Sequence, residues 1–400
     1  MHTKTSWPKA GTFFLAGVAS AFLVGKVSAV LPLLRAELGL SLFQAGLVVS
    51  IFNLIAGCGG VMFGAMADRF GHARIGLAGL VVAAAGSLIG SFAETPAMLL
   101  ASRVVEGGGF FMATVSIPPL LLRVAAQADR QKVLGLWGAY MPTGTGIMML
   151  TSGLLAAYLG WRGIWVLTAC LILVIAVFVA LAARSVRSTG KPGTSISFAD
   201  VRRVTRHRGP LLLALIFGAY AGQFLAVTAF IPLILVEHAN WSLAAAGTAG
   251  AGIIAINIIG NLASGPVLDA GYSRKAVIIF ATIAMIIGAA LVMADGLPVA
   301  VRVCGGLLFS AVGGLIPGAL FSGTAVHAPS PGLMSTVNGL MMQGSSIGQA
   351  LLPTLVSLVV GMTGLWASAL LVTMPAALIV IFAAYGLGRL ENQNSVEHPA

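Results

Sequence analysis

The chain has 400 residues, 58% of them hydrophobic and only 8% charged, and its mean hydropathy is +1.00. A composition this apolar excludes a soluble globular protein and places the chain in the membrane class. The formal net charge of +11 invites a nucleic-acid reading, but the basic residues are distributed as in a membrane protein, and no nucleic-acid partner is expected.

Apolar runs of about 20 residues, the length that crosses a bilayer core as a helix, fall near Gly11–Leu34, Leu42–Phe63, Ile75–Phe92, Ala97–Leu122, Val133–Tyr158, Gly163–Ala183, Leu211–Val236, Leu243–Leu268, Ala276–Met293, Leu297–Ala319, Leu333–Val360 and Leu365–Leu387. They predict an all-α membrane protein with twelve transmembrane helices. Lys4 and Lys9 precede the first run as in a secretory signal, yet the run is too long for one and Lys26 interrupts it, so an uncleaved first helix is expected. With both termini in the cytoplasm, most Lys and Arg fall on that side, while the outer loops hold only Arg35 and Arg162, in accord with the positive-inside rule. The densest basic segment, Arg184–Pro210, is punctuated by Ser, Thr, Gly and Pro and reads as a linker facing lipid headgroups.

The stretch Gly64–Arg74, Gly-Ala-Met-Ala-Asp-Arg-Phe-Gly-His-Ala-Arg, is a polar, turn-rich break between the second and third runs. Asp68, Arg69 and Arg74 must lie at a water boundary, and Gly64 and Gly71 permit close packing and a tight turn. About 200 residues later Gly265-Pro-Val-Leu-Asp-Ala-Gly-Tyr-Ser-Arg-Lys repeats the pattern, with Asp269 in the place of Asp68. Pro32 with Pro232, Ser41 with Ser242, Arg103 with Arg302 and Trp165 with Trp366 line up around that offset. A period this long marks two homologous bundles rather than a solenoid: residues 1–185 and 211–390, joined by the linker 186–210 and followed by a cytoplasmic tail, 391–400.

The Gly64–Arg74 stretch resembles the loop between helices two and three of the major facilitator superfamily, Gly-x-x-x-Asp-Arg-x-Gly followed by basic residues. Arg103-Val-Val-Glu-Gly-Gly-Gly resembles that superfamily's fourth-helix motif. The resemblance implies two pseudo-symmetric six-helix bundles that rock about a midplane site, with helices one, four, seven and ten lining the cavity. It also implies a gating role for Gly64, Asp68, Arg69, Gly71, Arg74 and Asp269, with Asp68 near the start of helix eleven, around Gly332–Ser335. The superfamily's basic run is reduced here to His72-Ala73-Arg74, a departure at the gate.

Lys26, Arg103 and Arg302 are the basic residues left inside the runs, and Glu106 is the one acid clearly among them. An ionisable group at the bilayer centre costs about 2.5–3.5 kcal/mol on insertion scales and marks a cavity or a partner. Three cations against one carboxylate favour a bound anion. Glu106 lies three residues after Arg103 on one helix face, a spacing that equally suits a structural pair. Arg302 faces Gly305 where Glu106 stands in the first half, and it lies close enough to the outer end of its run to snorkel. Lys26 has Ala226 as its counterpart, so the duplication did not need it for packing; it is the expected main anion ligand, assisted by Arg302.

Neutral polar residues complete the candidate set: Tyr220 and Gln223, Asn257 with Asn261, and Asn338 with Ser345 and Gln349, at spacings that share helix faces. Each suits ligand hydrogen bonds and equally suits helix-to-helix contact. Cys58, Cys170 and Cys304 and the six His residues show no metal-ligand spacing, and no Gly-x-x-x-x-Gly-Lys-Ser phosphate loop is present. No cofactor, metal or enzymatic activity is expected. The reading is a secondary active transporter, monomeric, in the bacterial inner membrane. It moves a small anionic solute with protons in symport or against a counter-anion. Proton-coupled drug or metabolite efflux, with Glu106 as main ligand, is the alternative within the class, and a non-transporting receptor or scaffold the alternative outside it.

Overall fold

The computed structural model describes residues 4–184, 198–330 and 333–397. Among them it contains helices and no strand. They are α1 (Trp7–Leu38), α2 (Leu42–Phe70), α3 (His72–Ser91), α4 (Pro96–Val124), α5 (Arg130–Gly138), α6 (Tyr140–Arg184), α7 (Phe198–Thr205), α8 (Arg208–Thr228), α9 (Ile231–Ala239), α10 (Leu243–Ala255), α11 (Asn257–Asp269), α12 (Arg274–Met293), α13 (Val299–Gly313), α14 (Leu315–His327), α15 (Met334–Thr363) and α16 (Leu370–Glu397).

Ten helices among the described residues are long and apolar enough to cross a membrane. The longest, Leu136–Arg184, spans 49 residues and is broken by Gly160 at φ 63°, ψ 175°, which makes it two spans. Helix α2, apolar over Leu42–Ile55, completes the expected twelve. In the second half the spans are interrupted: α8 gives way to α9 just before Pro232, α10 to α11 at Ile256, and α13 to α14 at Gly314, just before Pro317. Proline removes a backbone donor and crowds the preceding turn, so a break there is expected, yet Pro32 sits inside an unbroken α1.

The duplication recurs in the backbone. Gly71 (φ 97°) ends α2 and Gly271 (φ 90°) follows α11; Gly39 (φ 62°) ends α1 and Asn240 (φ 56°) follows α9. Each pair lies about 200 residues apart, the period of the sequence repeat. Helix starts repeat as well. Ser41 caps α2 with its hydroxyl on the Gln44 amide, and Gln44 returns a bond to the Ser41 amide; Ser242 accepts from the Ala245 amide at 3.2 Å. Such caps satisfy amides that the first turn leaves open.

The chain forms two compact units, one of residues 1–195 with 232–251, the other of 196–231 with 252–400. In the first, glycines let backbones touch. A Cβ on Gly25 would lie 2.2 Å from the Thr145 carbonyl and one on Gly144 2.2 Å from that of Val18, which joins α1 to α6. On α3, Gly79 and Gly86 meet the α4 backbone at Ala113 and Glu106, and on α4 Gly107 meets the Phe52 carbonyl of α2. In the same unit, Gly247 of α10 lies against Gly153 of α6, and Arg35 at the end of α1 pairs with Glu237 of α9 at 2.5 Å. Arg162 pairs with Glu37.

In the second unit, α12, α14 and α16 meet at one end. Arg274 pairs with Glu391 and donates to the Ala319 carbonyl at 2.8 Å, and Nε2 of His327 lies 3.0 Å from the same Glu391 oxygen. Cys170 and Cys304 are free and exposed on apolar helices. Of the linker, residues 198–205 form α7 while 185–197 fall outside the described residues.

Candidate functional site

The glycine seams set five helices, α1, α2, α3, α4 and α6, around one charged cluster. Lys26 (0% exposed), Arg103 (1%) and Glu106 (0%) are all enclosed. Nζ of Lys26 donates to Oε1 of Glu106 at 2.5 Å and to Oγ of Ser87 at 2.6 Å, and lies 4.1 Å from the centre of the Trp165 ring. Ser87 is oriented by its own bond to the Trp165 carbonyl, 2.9 Å. A cation over a desolvated indole gains up to about 2 kcal/mol, so the ammonium is held on three sides by α3, α4 and α6.

Arg103 is held differently. Its Nε donates to the Val48 carbonyl at 3.1 Å and its Nη1 to the Leu23 carbonyl at 3.0 Å. Nη1 also donates to Oε2 of Glu106, and the guanidinium lies 4.7 Å from the Phe52 ring centre. Glu106 therefore divides its two oxygens between two cations, and the cluster keeps one formal positive charge in excess. Buried ions are tolerated only when paired and hydrogen-bonded, and every member of this cluster meets that condition.

In the second unit, Arg302 is half-buried and its guanidinium is turned to backbone carbonyls: Nε to Leu297 and Nη1 to Val292, each 3.4 Å. Tyr220 (4% exposed), Gln223 (3%) and Asn257 (5%) are buried. Asn257 donates to the Tyr220 hydroxyl at 3.3 Å and to the Ser310 carbonyl at 2.9 Å, and Asn261 donates to the Asn257 side chain at 2.8 Å. Gln223 bonds back to the Ala219 carbonyl of its own helix. A row of rings flanks this network, Phe217 stacked on Tyr220 and Phe224 on Phe309. Oγ of Ser310 and Oδ1 of Asn338 are buried without a hydrogen-bond partner.

Of the gating set, Arg69, Arg74 and Asp269 are exposed at helix ends, as charges at a water boundary require. Gly71 supplies the left-handed turn between α2 and α3. Gly64 and Asp68 fall within α2 and outside the residues whose side chains are described; of the Gly332–Ser335 region proposed to receive Asp68, Gly332 and the Ser335 side chain also fall outside, while Leu333 and Met334 stand at the start of α15.

Ser87 and Trp165 are the contributors that sequence reasoning missed. Each lies in an apolar run where Ser reads as a small packing residue and Trp as an apolar one. The one available signal was the small-residue spacing of Gly79, Gly86 and Gly90 on α3, which marks the face turned to α4. Among the described residues no group of three or more His, Cys, Asp or Glu is placed to hold a metal ion.

The sequence model of a known family, described as Major Facilitator Superfamily, matches residues 13–353. The chain belongs to the major facilitator superfamily. Membership of this superfamily places it among transporters rather than enzymes, and with its many apolar helices makes it an integral, multi-pass membrane protein.

Among relatives, this superfamily member is 26% identical over 220 residues to the quinolone resistance protein NorB of Staphylococcus aureus (strain Newman), a match covering 54% of this chain and 46% of NorB. The match thus spans about half the length of the curated relatives. In structure it resembles a bacterial homolog of the human lysosomal transporter Spinster, with a TM-score of 0.78, 15% identity and 100% of both chains covered. It also resembles the nucleoside transporter NupG, with a TM-score of 0.72, 14% identity, and 95% of this chain and 98% of that one covered. At such identities the structural likeness concerns the fold.

Proposed function

We propose that the protein is a secondary active transporter that moves a small anionic solute across a bacterial inner membrane by alternating access, through proton symport or anion exchange. The observation that carries this reading is the enclosed cluster of two cations and one carboxylate, which leaves a positive charge where an ion is costly unless it has a use. Lys26 is the main anion ligand. Arg302, Tyr220, Gln223, Asn257 and Asn338 are the further candidates, and the partnerless Ser310 hydroxyl and Asn338 carbonyl oxygen offer spare hydrogen-bonding capacity. The Gly64–Arg74 motif with Asp269 serves as the gate. The protein works as a monomer with both termini in the cytoplasm.

The test is a thermal-shift screen of the purified protein against small anions and hydrophobic cations, followed by flux in proteoliposomes with the ligands that stabilise. Stabilisation by anions that is lost in Lys26→Ala supports the reading. Stabilisation by hydrophobic cations alone, surviving Lys26→Ala and lost in Glu106→Gln, favours the second reading, proton-coupled efflux. That reading is supported by the match to a relative named for quinolone resistance and by the single carboxylate at the cluster.

A further inference from the structure

We infer that the proton coupled to transport rides on Nζ of Lys26, with Arg103 and Glu106 serving as a fixed, internally neutral pair. This rests on the anion reading above. The two cations share one carboxylate but are anchored unequally. Arg103 is tied by two backbone carbonyls as well as by Glu106, and a guanidinium keeps its charge under all protein conditions. Lys26 is held by side chains alone: Ser87, Glu106 and the face of Trp165. Glu106 consequently stays compensated when Lys26 lets go, and Lys26 is the member free to exchange partners.

The groups facing Lys26 from each packed helix are Glu106 and Arg103 on α4, Ser87 on α3 and Trp165 on α6. Neither Ser87 nor Trp165 titrates in the accessible range, and α2 presents no ionisable side chain to it among the described residues. The excess charge of the cluster is therefore the charge of the ammonium. On the entry side the Nζ lone pair takes a proton from water and the anion takes the place of Glu106 Oε1 on the resulting ammonium, so that ammonium and anion cross as a neutral pair. On the other side the anion leaves, the N–H bond releases its proton to water, and the neutral amine returns beside the Arg103–Glu106 pair. One proton moves with each monovalent anion, and no net charge crosses.

The experiment uses the full-length protein in detergent with the sodium salts of nitrate, lactate, gluconate and glucuronate, none of which titrates between mildly acidic and mildly alkaline pH, across that range. For the salt that stabilises, wild-type affinity is expected to fall about tenfold per pH unit on the alkaline side, the slope for one linked proton. Binding there takes up a proton, read with an indicator dye in weak buffer. Lys26→Arg, whose charge does not titrate, is expected to bind without that slope. In proteoliposomes its exchange of labelled anion is reduced but measurable, and accumulation driven by a proton gradient is lost. Binding by the wild type with no proton uptake overturns the inference, and this holds even if the variant fails to fold. Uptake that persists in Lys26→Arg and vanishes in Glu106→Gln also overturns it, since the proton then sits on Glu106. Absence of stabilisation by all four salts refutes the anion reading itself and this inference with it.

Discussion

Nζ of Lys26 and Oε1 of Glu106 stand 2.5 Å apart with both side chains fully enclosed, joining α1 to α4. Because the second oxygen of Glu106 is taken by Arg103, the two ends of this bond are not equivalent. Glu106→Gln leaves two buried cations without a counter-charge and is expected to cost about 3–5 kcal/mol, the range for breaking a buried pair. Lys26→Met leaves Arg103–Glu106 neutral and is expected to cost clearly less. Melting of the two variants in the same detergent checks the order, and equal losses would contradict this charge balance.

The run Gly107-Gly108-Gly109 places three residues in three environments. A Cβ on Gly109 would lie 2.3 Å from the Ala83 amide nitrogen of α3, one on Gly107 2.3 Å from the Phe52 carbonyl of α2, and one on Gly108 meets nothing within 4 Å. Gly109→Ala and Gly107→Ala must push helices apart, and a loss above about 3 kcal/mol or failure to accumulate is expected. Gly108→Ala is expected to be neutral or stabilising by up to about 1 kcal/mol through helix propensity. Expression level and melting temperature of the three variants decide it.

Glu391 binds both Arg274 and His327, tying α16 to α12 and α14. Glu391→Ala strands a part-buried guanidinium and is expected to cost about 1–3 kcal/mol, with faster proteolysis of the C-terminal segment. A tail as resistant as in the wild type would show that packing alone holds α16.

The Arg35–Glu237 pair has side chains 26% and 34% exposed, so a double-mutant cycle with Arg35→Ala and Glu237→Ala is expected to give a coupling of about 0.2–1 kcal/mol, diminished by salt. A salt-independent coupling of several kcal/mol would mean that the pair is far drier than its exposure indicates.

Asp68 is proposed as a gate residue. Asp68→Asn is expected to favour the inward-open state while leaving insertion intact. Labelling of single cysteines placed along the cytoplasmic end of the cavity measures this, and unchanged labelling rates in the variant would remove Asp68 from the gate.

How much was legible in the chain itself follows from range. Span number and the all-α class rest on runs of apolar residues, and the duplication rests on a repeat that any single residue can miss without erasing it, so local composition determined both. The Arg103–Glu106 pair was legible because a spacing of three residues sets neighbours on one helix face. The tertiary structure alone decided the rest. Ser87 and Trp165 lie 61 and 139 positions from Lys26, and only the close approach of α3 and α6 through glycine seams brings them to its ammonium. It also decided that the guanidinium of Arg302 meets the carbonyls of Val292 and Leu297, and that residues 232–251 pack with the first unit. Periodicity within a helix reports which face is turned inward; which helix that face meets depends on backbone approach, and distant glycines set that distance.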